Sequence, residues 1–112
     1  MDKISILLLE AEKDIEVGCY NKAVSACYFA VRMQIEVLAN KLGSNIPRRD
    51  DKLINILKNL GKDDLAKHSL YLYERRKDAD YGHESLNKDT ALACLSISRR
   101  LVEEINRIIN RL

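Results

Sequence analysis

The chain has no tryptophan, one proline, four glycines and one phenylalanine, so few turns and little aromatic surface are available. Disorder is excluded as well, because 46% of the residues are hydrophobic and 32% are charged. Histidine is scarce too: His68 and His83 are the only two. With no paired Cys/His spacing, a zinc site is not expected, and neither a metal nor another cofactor is assigned. No Gly-rich phosphate loop, no H-E-x-x-H and no G-x-S-x-G is present. The cysteines, Cys19, Cys27 and Cys94, are odd in number and lack C-x-x-C spacing, which suits a reduced, cytoplasmic protein.

A strong excess of one charge is also missing. The net charge of +2 is too small to imply nucleic-acid binding by itself. Residues 1–18 carry five acids against two lysines, a balance of −3, so the remaining chain holds +5. An anionic partner would approach that remainder. The run "ISILLLEA" is too short for a signal-peptide core and is followed at once by "EKDIE", so neither export nor a membrane span is expected.

What is present is helical periodicity. Ile4, Leu7, Leu8, Ala11 and Ile15 recur at helical spacing, and Gly18 supplies a stop. Residues 20–42 keep Ala23, Cys27, Ala30, Val31, Ile35, Leu38 and Leu42 on one stripe, with Val24, Tyr28 and Met33 on a second flank. A helix apolar on two sides is expected to be central. "GSNIPRRD" reads as a loop, after which Asp50 or Asp51 is expected to cap a short helix ending at Gly61. Asp63 or Asp64 then caps a continuation through Leu65, Ser69, Leu72, Tyr73, Arg76 and Ala79. Gly82 interrupts it, "HESLNKD" connects, and residues 89–111 form the last helix. The expected fold is therefore all-α: one domain over residues 1–112, an antiparallel four-helix up-and-down bundle whose third helix is interrupted near Gly61.

Within "ERRKDADYGH", residues 74–83, Arg76 falls on the stripe that the pattern assigns to the core. Two readings account for it. In one, Arg76 pairs with Asp80 at i+4 and lays its stem on the core edge. In the other, Arg76 and His83 face one phosphate. On a continuous helix His83 would return to within about 20° of Arg76 but about 10 Å further along the axis, so a bend at Gly82 or a second subunit is required. Arginine would then stabilise charge on the phosphoryl oxygens, and histidine would move the proton of a ribose 2′-hydroxyl. His68, off the stripe, reads as an exposed helix residue.

Two segments carry a resemblance. "YNKAVSACYFAVRMQIEVLANKLG" at 20–43 resembles the tyrosine- and alanine-rich second helix of the HEPN domain (higher eukaryotes and prokaryotes nucleotide-binding), and "LYERRKDADYGH" at 72–83 resembles its R-x-x-A-D-Y stretch. The likeness is to the small stand-alone archaeal and bacterial members. It implies a homodimer with two motifs around a shared cleft, and a minimal nucleotidyltransferase as a partner, in toxin–antitoxin fashion. In that family an arginine followed after four to six residues by a histidine marks metal-independent endoribonucleases. Arg76 and His83, with six residues between them, fit that window as the catalytic pair, and Arg75, Lys77, Asp80 and Tyr81 would contact RNA or a nucleotide. Active members commonly carry Asn, Asp or His directly after the arginine, where this chain has Lys77. One toxin subgroup has a nucleotidyl-accepting tyrosine two residues after the histidine, where this chain has Ser85.

Overall fold

The computed structural model describes residues 2–112 as five helices: α1 (Lys3–Glu16), α2 (Tyr20–Lys41), α3 (Asp50–Asn59), α4 (Asp63–Tyr81) and α5 (Lys88–Asn110). The all-α expectation stands. The interrupted third helix does not, because α3 and α4 are separate helices. Gly61 sits at φ 76°, the left-handed region where glycine lacks the Cβ clash of other residues. There the Gly61 amide donates to the Lys58 carbonyl (3.0 Å) and the Lys62 amide to the Leu57 carbonyl (3.0 Å). These bonds use up the last carbonyls of α3, so the helix terminates and the chain restarts. The two helices then pack on each other and on α2.

Helix α2 lies at the centre, touching all four others, as its two apolar flanks require. Ala23, Cys27, Ala30, Val31 and Leu38 are fully buried, and the small members of that set let α1 and α5 approach closely. One continuous core draws on every helix, from Ala11 and Ile15 of α1 through Leu53 and Leu57 of α3 and Leu72 of α4 to Leu101 and Ile105 of α5. The buried polar residues Ser69, Ser98 and Gln34 each find a backbone carbonyl. Ser69 Oγ donates to the Leu65 carbonyl (2.8 Å), Ser98 Oγ to the Leu95 carbonyl (3.0 Å), and Gln34 Nε2 crosses to the Val102 carbonyl (3.1 Å).

The helix starts differ from expectation at two places. Asp2 and Asn87 cap α1 and α5 by accepting from Ser5 N and Thr90 N, both at 2.8 Å. Asp50 and Asp63, however, lie inside their helices rather than at the caps. Asp50 is drawn instead into a tertiary cluster, where it accepts from the Tyr28 hydroxyl and from Arg32 Nη1 (2.6 Å). Among the described residues no helix is long and apolar enough to cross a membrane.

Candidate functional site

Successive residues on α4 turn by about 100°, which separates the three adjacent basic side chains. Arg75 turns to the Tyr71 ring (5.2 Å) and pairs with Asp78 (2.9 Å). Lys77 turns the other way, over the Tyr73 ring (4.7 Å) and against Glu74 (3.2 Å). Only Arg76 faces α2. Arg75 and Lys77 therefore lie on other flanks of α4 and are not brought to the Arg76 groove within one protomer.

Arg76 is held on three sides, and its side chain is only 20% exposed. Its Nε lies 2.9 Å from Asp80 Oδ2, an ion pair without the alignment of a hydrogen bond. The second carboxylate oxygen of Asp80 accepts from Ser25 Oγ of α2 at 2.6 Å. The guanidinium carbon sits 5.1 Å from the Phe29 ring and 5.7 Å from the Tyr81 ring. Contacts of this kind add about 0.5–1 kcal/mol each at exposed sites. The i+4 pair and the buried stem are thus both present. Neither Nη of Arg76 bonds to another described residue, and neither is sealed from solvent, so those donors stay free next to Asp80, Phe29 and Tyr81, which line a groove.

That groove runs between α2 and the end of α4 and is lined by Asn21, Lys22, Ser25, Phe29, Asp80 and Tyr81. Tyr81 is 74% exposed at its edge. Asn21, Ser25 and Phe29 recur every four residues, so α2 presents them as one stripe. Reading the sequence for core positions passed over all three. The spacing was visible, but which α4 residues the stripe would meet depends on how the two helices cross.

His83 lies just outside the helix. Gly82 ends α4 by donating its amide to the Asp78 carbonyl (3.0 Å), and its backbone turns to the extended region. A Cβ on Gly82 would stand 2.5 Å from that same carbonyl oxygen, so the exit path requires glycine for space. His83 is exposed and makes no hydrogen bond or ion pair to another described residue. It follows Tyr81 by two residues, is not among the residues that line the groove, and makes no hydrogen bond to Arg76 within the protomer. The connection is pinned instead by Asn21, whose Nδ2 donates to Ser85 Oγ (3.2 Å) while its Oδ1 accepts from Leu86 N (3.0 Å).

The groups whose ionisation is most displaced lie elsewhere. Burial pushes the Cys27 thiol up to about 11 and Cys94 up to about 12, the latter with a contribution from Cys27. Both stay protonated at neutral pH and offer no nucleophile. Burial also drives the Tyr28 phenol upward, reinforced by the Asp50 carboxylate. Arg32 is raised in spite of its burial, because Tyr28 and Asp50 favour its charged form. His68 is not the exposed residue expected from the sequence. It is half-buried with Nδ1 2.7 Å from Arg100 Nη2, because α5 packs along α4 at that level. A second concavity, at the opposite end of α4, is lined by Lys62, Asp63, Asp64, Arg100, Glu104 and Arg107. Its charges are of both signs, and it contains neither Arg76 nor His83.

No group of three or more His, Cys, Asp or Glu side chains converges as metal ligands among the described residues. In comparison with known proteins, the family model described as the HEPN domain matches residues 7–108, nearly the whole chain. No curated protein matches it.

Proposed function

Since the chain belongs to the HEPN domain family, we propose that it is a metal-independent endoribonuclease whose catalytic pair is Arg76 and His83, acting as a homodimer. The observation that carries this reading is the state of Arg76. It is fixed by Asp80, Phe29 and Tyr81, three residues that line the groove between α2 and the end of α4, yet both of its Nη groups remain unpaired and open to solvent. A guanidinium fixed in advance is suited to charge that develops on phosphoryl oxygens. His83 takes the proton of the ribose 2′-hydroxyl, the 2′-oxygen bonds to phosphorus, and the bond to the 5′-oxygen breaks. The departing 5′-oxygen takes a proton from an imidazolium or from water, leaving a 2′,3′-cyclic phosphate and a 5′-hydroxyl. A dimer supplies the second motif, since no hydrogen bond brings His83 to Arg76 within one protomer. Lys77 stands where active members carry a polar residue, and Asp80 with Ser25 performs the orienting role from a different position.

Incubation of the protein with RNA in excess chelator tests this reading. Cleavage is expected from the wild type and is expected to fall by at least about 100-fold in His83→Ala and in Arg76→Ala, the range of a lost acid–base or electrostatic group. Activity that survives both substitutions would contradict it.

Lys77 favours a second reading, a non-catalytic module that binds a nucleotide or a minimal nucleotidyltransferase through the same groove. Its amine is committed to Glu74 and Tyr73 and gives Arg76 no support. This reading predicts no cleavage under the same conditions, together with saturable nucleotide binding or a stable complex with the transferase, weakened by Arg76→Ala.

A further inference from the structure

We infer that Asn21 is the positioning residue for His83, and that the Asn21–Ser25 stripe of α2 is the element that sets the geometry of both motif side chains. The inference rests on the ribonuclease reading of the same groove. Residues 82–87 connect α4 to α5 with no regular structure. A histidine on such a segment needs a tether if it is to meet a substrate in one geometry, because a displacement of about 1 Å is enough to cost about 100-fold in rate. His83 itself makes no hydrogen bond to another described residue, so its place is set by what holds the segment around it.

Two holds are present, one at each end. At the start, Gly82 is fastened to α4 by its amide and by lack of room for a side chain. At the far end, among the described residues, the only side chain outside the connection that bonds to it is Asn21, which engages Ser85 Oγ and Leu86 N with the two ends of one amide. A carboxamide with both ends occupied cannot turn without losing one of them. One turn along α2, Ser25 holds the Asp80 carboxylate against which Arg76 is set. A single rigid helix thus fixes the arginine through Ser25 and the histidine through Asn21, although 54 residues separate Asn21 from Arg76 in sequence and neither α2 residue belongs to the motif.

Backbone ¹⁵N relaxation on the full chain, paired with cleavage kinetics, tests this. In the wild type the His83 and Glu84 amides are expected near the rigid range, an order parameter of about 0.85, and in Asn21→Ala below about 0.6. Asn21→Asp retains acceptors for both Leu86 N–H and the Ser85 hydroxyl and should stay near the wild type. With RNA, Asn21→Ala is expected to lower kcat by about tenfold or more with KM within about threefold, and Asn21→Asp to recover most of that loss. Ser85→Ala, an exposed substitution that removes one of the two bonds, should fall between them. A wild-type segment that is already mobile, or one that Asn21→Ala leaves unchanged, would overturn the tether. An active wild type whose kcat is indifferent to Asn21→Ala would overturn its role in positioning. A wild type that cleaves nothing contradicts the ribonuclease reading, and the relaxation comparison still decides whether Asn21 holds His83 in place.

Discussion

The residue that separates the competing accounts is Arg76, since its pairing with Asp80 is common to all of them. A partly exposed i, i+4 pair contributes about 0.3–0.5 kcal/mol. Asp80→Ala should therefore cost little stability, and an Arg76→Ala/Asp80→Ala cycle should show coupling of about 0.5 kcal/mol in denaturant titrations. Cleavage should respond far more, because the freed guanidinium loses its fixed position while the fold remains. A purely structural pair predicts the stability term with no effect on cleavage or binding. Tyr28 makes the opposite case, a residue whose role is confined to the fold. Its phenol is held neutral in the native state, so its folded value lies above the unfolded value of about 10. Above about pH 10 the unfolded chain binds fewer protons than the native one, and stability falls as pH rises through the folded value. Urea midpoints measured from pH 8 to 11 should decline at the alkaline end, and Tyr28→Phe should flatten that decline while lowering stability at pH 8 by about 1–2 kcal/mol.

At the level of elements, two glycines that look alike in sequence act in different ways. Gly61 ends α3 at positive φ with open space around it, so Gly61→Ala should cost about 1–2 kcal/mol through backbone strain alone and leave the groove unchanged. Gly82 has an ordinary φ but no room, so Gly82→Ala must redirect the segment that carries His83. Thermal melts and cleavage rates of the two variants are expected to rank in opposite orders. A Gly82→Ala variant that cleaves at the wild-type rate would contradict this account of the exit from α4. The same comparison shows what the sequence made legible. Apolar stripes located the helices, and glycines at their ends located the stops, because both signals are local. Asp50 has the sequence position of a cap but is not one, because its partners, Tyr28 and Arg32, lie on another helix. The groove was half legible for the same reason: Arg76 stood out on its own stripe, whereas Asn21 and Ser25 gain a role only when α2 crosses α4.

For the whole molecule, the central question of the proposed reading is how Arg76 and His83 would reach one phosphate. No hydrogen bond joins them within a protomer, and the exposed Phe29 and Tyr81 beside Arg76 leave apolar surface at that end of the bundle. If each site draws its arginine from one chain and its histidine from the other, mixing inactive Arg76→Ala and His83→Ala proteins should restore cleavage, since a mixed dimer holds one intact pair. If both residues of a site come from the same chain, the mixture should stay inactive. Sedimentation at micromolar concentration should show a dimer in either case, and a monomer would contradict the assembly. The test closest to the central claim is the chemistry of the new ends. Phosphorus NMR of RNA treated with the wild-type protein in chelator should show a 2′,3′-cyclic phosphate that is absent after treatment with His83→Ala. Products carrying a 5′-phosphate, the mark of attack by water rather than by the 2′-hydroxyl, or no new ends at all, would contradict it.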